Sequence, residues 1–386
     1  MNSFIFNTTA SIRFQEGAAA NLGTECQQIL GERILFVTDP GLIKIGLTQG
    51  PLEALQQTGI TVALFDQVEA DPSLDTLMAA VDKARQMDAT GIVGFGGGSS
   101  MDVAKLTALL VGSNENLAEV WGVDNAKGPR LPLVLIPTTA GTGSEVTPIA
   151  IMTIGQGEKR GVSSAVILPD VAILDPLLTT SLPASITAAT GIDAMVHAIE
   201  GYASRGTNNN PISKILATQS LSLLGANLEL AVTDGTNIKA RGAMLLGSML
   251  AGMAFANSPV AAVHALAYPI GGTFHVPHGL SNALVLPHVL RFNASEAAPD
   301  YAELAPFIFP DIDTARNSQE VCAEFIERLA TLSATVGLPQ KLREVGITRG
   351  DLPSMASDAM KQIRLLVNNP RKVTEQDALA IYQAAW

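Results

Sequence analysis

Asp193 and His197 stand four residues apart in Gly191-Ile-Asp-Ala-Met-Val-His-Ala-Ile-Glu-Gly-Tyr202, a stretch that reads as helix. Residues at i and i+4 share a helix face, so this carboxylate and this imidazole can meet one cation. His264 lies in the helical Val260-Ala-Ala-Val-His-Ala-Leu-Ala-Tyr268, and His278 follows fourteen residues later in Val276-Pro-His-Gly279. Three imidazoles and one carboxylate suit a divalent transition metal such as Fe²⁺ or Zn²⁺, with one or two positions left for substrate and water. Taken pair by pair, the same spacing fits a local Asp–His hydrogen bond and core histidines satisfied by their neighbours.

Two glycine-rich turns offer a second chemistry. The apolar run at residues 91–95 enters Gly96-Gly97-Gly98-Ser99-Ser100, and a helical pattern follows at once. Glycines at a strand-to-helix turn let backbone N–H groups approach a phosphate at the positive end of the helix. No Gly-Lys-Ser/Thr follows, so this is not a P-loop, and Ser99 stands where a GxGxxG fingerprint needs its last glycine. A tight turn before a packed helix would look the same. A second run, residues 131–139, enters Ala140-Gly141-Thr142-Gly143-Ser144. Two such turns at the carboxyl ends of strands favour a ligand with two phosphates. Asp39 closes a third run just before Pro40-Gly41. A carboxylate there can accept two hydrogen bonds from a ribose and repel a 2′-phosphate, and it also suits a loop-capping role.

The elements that must position these groups fall into two textures. Apolar runs at residues 33–39, 61–68, 91–98 and 131–139 alternate with helical patterns such as Leu74, Leu77, Met78, Val81 and Ala84, which implies a parallel sheet covered on both faces. Residues 149–175 read as further extended segments. Beyond Asp175-Pro176 only Ala-, Leu- and Met-rich helical patterns follow, beginning near Ser181-Leu182-Pro183. The expected fold is an α/β N-terminal domain with a parallel dinucleotide-binding sheet, residues 1–180, and an all-α C-terminal domain carrying the metal and catalysis, residues 181–386.

Composition narrows the partners. The 386 residues carry 36 acidic and 24 basic side chains, a net charge of −12, which argues against nucleic-acid binding. Four of the five histidines, His264, His275, His278 and His288, lie among the forty-nine residues between Arg241 and Arg291, which include no Asp, Glu, Lys or Arg. The apolar run at residues 242–256 stops at Asn257-Ser258-Pro259, short of the ~20 residues that a spanning helix needs. Buried helices flooring a metal site fit the run better, and no membrane association is expected. The N-terminus shows no basic region followed by a long apolar one, so a cytoplasmic protein is expected. Cys26 and Cys322 are too few and too far apart for a disulfide framework, and read as buried, inert thiols.

Taken together, the motifs Phe95-Gly-Gly-Gly-Ser-Ser-Met-Asp102, Ile136-Pro-Thr-Thr-Ala-Gly-Thr-Gly-Ser-Glu-Val-Thr147, Thr190-Gly-Ile-Asp-Ala-Met-Val-His-Ala-Ile-Glu200, His264-Ala-Leu-Ala and Pro277-His-Gly-Leu-Ser-Asn-Ala283 resemble the iron-containing (group III) alcohol dehydrogenases. That family includes lactaldehyde reductases and propanediol oxidoreductases, and its fold is dehydroquinate synthase-like. The resemblance runs on to Asn369-Pro-Arg371 and Tyr382-Gln-Ala-Ala-Trp386. It implies Asp193, His197, His264 and His278 as ligands to Fe²⁺, or to Zn²⁺ or another divalent ion. It implies Gly97, Gly98 and Ser99 at the pyrophosphate of NAD, Asp39 at the adenosine ribose and Asp71 near the adenine. Thr138, Thr139 and Thr142 match a second cofactor loop, with Asp102, Lys159 and Leu178 facing the cofactor and Arg160 and Leu177 as the neighbouring alternatives.

Two positions depart from the family pattern. Tyr268 stands where a further histidine is usual, and an unperturbed phenol, with a pKa near 10, relays protons less readily at neutral pH than imidazole. His275 is an extra imidazole that can serve as the relay or remain a solvated loop residue, and His288 reads as structural. The resemblance implies reversible hydride transfer between NAD(H) and a small alcohol or aldehyde, in a homo-oligomer. Phe255 and Met253 would wall an apolar pocket for short aliphatic substrates. A hydroxyacid–oxoacid transhydrogenase of the same superfamily is one alternative. A dehydroquinate synthase-like lyase is another, and the charge-free run supplies none of the cations it needs to grip a phosphate and a carboxylate.

Overall fold

In the computed structural model, the structure describes residues 3–155 and 158–386. The chain forms two compact units, one of Asn7–Thr139 and Gly143–Thr180, the other of Met1–Phe6, Ala140–Thr142 and Ser181–Trp386. Neither unit is one continuous run, because two short segments from the first half group with the helical unit.

The α/β unit contains β1 (Ser11–Phe14), α1 (Leu22–Leu30), β2 (Arg33–Val37), α2 (Pro40–Lys44), α3 (Gln49–Gln57), β3 (Thr61–Phe65), α4 (Leu74–Gln86), β4 (Gly91–Gly96), α5 (Gly98–Ser113), α6 (Leu117–Val120), β5 (Gly122–Val123), β6 (Leu133–Pro137), β7 (Ile149–Ile154), β8 (Glu158–Ser163) and β9 (Val171–Leu174). Six strands form one sheet in the order β1-β9-β6-β4-β2-β3, every pair parallel. A smaller sheet pairs β7 with β8 antiparallel and β5 with β8 in parallel.

Alternation explains why near-continuous apolar runs form the main sheet. Leu35, Val37, Ile92, Leu133 and Leu135 enter one core with Leu77, Val81, Met101 and Leu106. Their neighbours Ile34, Phe36, Val93, Phe95, Val134 and Ile136 enter the opposite core with Leu22, Leu30 and Leu55. Both faces are therefore dry, as a parallel sheet between helices requires. Helix α5 packs so closely on β4 that a Cβ at Gly94 would lie 2.8 Å from that of Ala104.

The helical unit contains α7 (Ala184–Ala203), α8 (Pro211–Thr233), α9 (Ile238–Asn257), α10 (Ala262–Phe274), α11 (His278–Ile308), α12 (Ser318–Thr335), α13 (Leu352–Ala359), α14 (Ile363–Leu366) and α15 (Glu375–Ala385). No strand occurs after β9 among the described residues. Helix α7 is buried at nearly every position from Thr187 to Ala203, which explains its lack of a polar face. The charge-free run supplies most of α9, all of α10 and the start of α11. In α9 it buries Met244, Leu245, Met249, Ala251, Ala254 and Phe255 within the protein. Helix α8 is long and apolar enough to cross a bilayer by length and composition.

Two local readings shift. Strand β2 ends at Val37 rather than at Asp39, because Asp39 instead caps α2 by accepting the Leu42 N–H at 3.0 Å. Helix α5 begins at Gly98, inside the glycine run, and Gly97 is its N-cap.

Candidate metal centre and cofactor turns

Helix α7 presents Asp193 and His197 on one face, α10 contributes His264, and His278 is the first residue of α11. One ligating atom from each of the four lies within 4.8 Å of all the others. Metal–donor bonds of about 2.0–2.2 Å to N and O let such a group share one cation. Close packing of the helices makes this convergence achievable: a Cβ at Gly279 would overlap the Ala189 carbonyl and lie 3.2 Å from Asp193 Cβ. Only glycine allows α11 to start so near α7.

The protonation pattern suits a cation. The His197 Nδ1–H donates to the Gly141 carbonyl at 3.1 Å, leaving Nε2 with its lone pair. Burial pushes the His197 imidazole down to about 3, against the pull of Asp193, so it is held neutral. Burial would raise Asp193, yet His278, His197, His264 and the Asn282 hydrogen bond together hold it below the usual carboxylate range. Asn282 Nδ2 donates to Asp193 Oδ1 at 2.6 Å and lies 3.3 Å from both His264 Nε2 and His278 Nε2. Its own Oδ1 is buried without a hydrogen-bond partner. An anionic carboxylate and three imidazoles facing one point, all but His278 buried, fit a divalent transition ion.

Around this group, Phe255 stacks on His197 with ring centroids 4.3 Å apart, and the Tyr268 ring lies 6.4 Å from that of His278. His275 is exposed and ends α10 in a left-handed conformation, φ 56°. His288 lies within α11, and burial pushes it down to about 4. Glu200, unassigned by the sequence reading, is 5 % exposed and contacts His264 Nδ1 at 2.7 Å.

In the α/β unit, Gly96 adopts φ 148°, and a Cβ there would lie 2.7 Å from Ser100 Oγ and 3.4 Å from Asp39 Oδ2. Asp39 therefore reaches the first glycine turn while its other oxygen caps α2. No side chain caps α5, and a Cβ at Gly97 would meet nothing nearer than Thr139 at 3.7 Å. The positive end of the helix is thus open to an anion. The Thr138 N–H donates to the Gly96 carbonyl, which joins the first turn to the second. Thr142 lies in the short segment that groups with the helical unit.

Three predicted cofactor contacts have internal partners. Asp102 accepts from Ser144 Oγ at 2.7 Å and from the Ile151 N–H at 2.9 Å. Lys159 pairs with Asp71 and donates to Thr153 Oγ1, while Arg160 pairs with Glu158. Leu178 is packed in the core at 6 % exposure, whereas Leu177 is 42 % exposed. The sequence reading also missed Lys105, fully buried on α5, which donates to Ser144 Oγ at 2.7 Å, to the Ile149 carbonyl at 2.7 Å and to Thr147 Oγ1 at 3.3 Å. Burial lowers Lys105 to about 8, against the pull of Asp102, and raises Glu145 to about 7.

A parallel sheet with an open glycine turn, followed by a helical unit that gathers one carboxylate and three imidazoles, defines a metal- and dinucleotide-dependent oxidoreductase. Residues 9–176 match the family described as iron-containing alcohol dehydrogenase, and residues 187–386 match its C-terminal part. The chain belongs to the iron-containing alcohol dehydrogenase family. It is 40 % identical over 373 residues to long-chain-alcohol dehydrogenase 1 of Geobacillus thermodenitrificans, covering 96 % of this chain and 93 % of that one. The crystal structure of a 1,3-propanediol oxidoreductase superposes with a TM-score of 0.95 at 36 % identity, covering 100 % of each chain. Sulfoacetaldehyde reductase from Bifidobacterium kashiwanohense, solved with NAD⁺, gives 0.86 at 28 % identity, covering 100 % of this chain and 99 % of that one.

Proposed function

We propose that this enzyme interconverts a small alcohol and its aldehyde with NAD(H), through a divalent ion held by Asp193, His197, His264 and His278. The observation that carries this reading is the convergence of those four donors within 4.8 Å of one another. Iron accords with the family, and the donor set also suits Zn²⁺. Such an ion supplies Lewis acidity toward the substrate oxygen, and NAD supplies the hydride chemistry. The Gly141 carbonyl holds the His197 ring, and Asn282 holds Asp193, so two ligands are oriented before any ion arrives. Phe255 beside His197, with Met253 on the same helix, lends the site an apolar wall that favours short aliphatic substrates. Either Tyr268 or His275 serves as the relay for the substrate proton in this reading.

The α/β domain, residues 1–180, binds NAD in this reading, and residues 181–386 carry the metal and catalysis. Gly97, Gly98 and Ser99 receive the pyrophosphate at the open end of α5. Asp39 takes the adenosine ribose and disfavours NADP. Asp71 lies near the adenine side, and Lys159, paired with it, faces the cofactor. Thr138, Thr139, Thr142, Asp102 and Leu178 complete the cofactor loops by resemblance. The protein is proposed to work in the cytoplasm, where free, buried Cys26 and Cys322 suit a reducing compartment. A homo-oligomer rests on the family resemblance.

The test is NADH formation by anaerobically purified, Fe²⁺-loaded protein with a panel of short alcohols and diols, read at the nicotinamide absorbance. Turnover that is lost on chelation and regained on adding Fe²⁺ is expected. Turnover that survives complete metal removal overturns the reading.

A further inference from the structure

Glu200 lies on α7 three residues beyond His197 and seven beyond Asp193, so it shares their face of the helix. Its carboxylate bridges two neighbouring residues of another helix. Oε1 accepts the Val263 N–H at 2.6 Å, and Oε2 lies 2.7 Å from His264 Nδ1. Val263 is the second residue of α10, whose N-cap position is Ala261, without a side-chain oxygen to satisfy the first N–H groups. Glu200 therefore supplies from α7 the acceptor that a Ser or Asp N-cap ordinarily provides, and its charge lies at the positive end of α10.

The same carboxylate determines which nitrogen of His264 carries the proton. A carboxylate only accepts, so a neutral His264 must hold its proton on Nδ1 and leave the Nε2 lone pair free. Nε2 is the nitrogen on the Asn282 side, shared with His278 Nε2. Helix α10 is bent 108° from α9, and the turn between them is fixed by the same end of α7. Ser258 Oγ donates to the Gly201 carbonyl at 2.6 Å and Ser204 Oγ to the Pro259 carbonyl at 2.7 Å. The ring has little freedom to find another partner.

We propose that Glu200 is the positioning residue of the metal centre, fixing His264 in its metal-ligating tautomer while capping the helix that carries it. This rests on the ligand reading above. Glu200→Gln keeps the shape and one acceptor oxygen for Val263, but turns an amide N–H toward Nδ1. The ring proton must then move to Nε2, the atom needed for the ion.

The experiment compares wild type, Glu200→Gln and Glu200→Ala as full-length proteins. ¹⁵N-histidine NMR of the metal-free protein is expected to report Nδ1–H for His264 in wild type and Nε2–H in Glu200→Gln. Calorimetric Fe²⁺ or Zn²⁺ titration is expected to show roughly 10–100-fold weaker binding in Glu200→Gln. Glu200→Ala loses the cap as well and melts at a lower temperature than Glu200→Gln when metal-free. An unchanged His264 tautomer, or wild-type metal affinity in Glu200→Gln, overturns the proposal. If wild type itself takes up no divalent ion, the ligand reading fails instead, and the tautomer comparison still decides the role of Glu200.

Discussion

In the helical unit a buried anion, Glu200, ties α7 to the start of α10. In the α/β unit a buried cation, Lys105, ties α5 to the segment after β6 through Ser144, Thr147 and the Ile149 carbonyl. The working groups differ in kind. The proposed metal centre is made of side chains, whose lone pairs must all point inward, so its brace accepts hydrogen bonds. The proposed cofactor turn is made of backbone, with no side-chain cap on α5, so its brace acts about two turns deeper and leaves the helix end open. Side-chain sites need their ligands oriented, whereas backbone sites need their loops held in shape.

Four substitutions sharpen or break that contrast. His264→Ala should have the largest effect, reducing turnover to background with loss of the metal while NADH binding, read by fluorescence, persists. Lys105→Met removes the cation from its hydroxyl and carboxylate partners, and breaking a buried pair costs about 3–5 kcal/mol. Denaturant unfolding should show that loss, and the KM for NAD should rise while metal affinity holds. A weakened metal site with an intact KM would break the comparison.

Asp39→Asn is a finer probe than Asp39→Gly, because the structure shows Asp39 capping α2 as well as facing Gly96. The amide keeps the cap and removes the charge. A roughly tenfold shift of the NAD:NADP kcat/KM ratio toward NADP corresponds to about 1.4 kcal/mol, and stability should change by less than the ~1 kcal/mol of a lost cap. An unchanged ratio rejects the ribose role.

The smallest effect is in pH dependence. Burial raises Glu145 from its ordinary 4.5 to about 7, so the folded protein holds more protons than the unfolded chain between those values. The stability from that proton is full below pH 4.5 and is lost as pH rises through 7. Glu145→Gln cannot lose it. Its melting temperature relative to wild type should therefore rise between pH 5 and pH 8, and a constant difference would show that Glu145 does not titrate in this range.

Much of this was legible in the residues. Apolar runs gave the strands because a parallel sheet buries both faces, and the i, i+4 pairing of Asp193 and His197 follows from helix geometry. The convergence of His264 and His278 on that pair needed tertiary contacts, above all the close approach at Gly279. Asp39 illustrates why some readings stayed open: the structure shows the capping role, with one oxygen on the Leu42 N–H, while the other oxygen faces Gly96 and leaves the ribose role to the NAD:NADP comparison. Glu200 and Lys105 were illegible for a different reason. A lone Glu or Lys in a helical pattern looks like a surface residue, and only the fold shows that each is buried against polar groups from another segment.

In the proposed function, metal and cofactor are held by separate parts of the chain. Metal stoichiometry and NADH binding, measured together on wild type and Asp193→Ala, test this most directly. The prediction is one divalent ion per wild-type chain and none in the variant, with NADH affinity unchanged. An ion retained at full stoichiometry by Asp193→Ala, or NADH binding lost along with the metal in a folded variant, would contradict it.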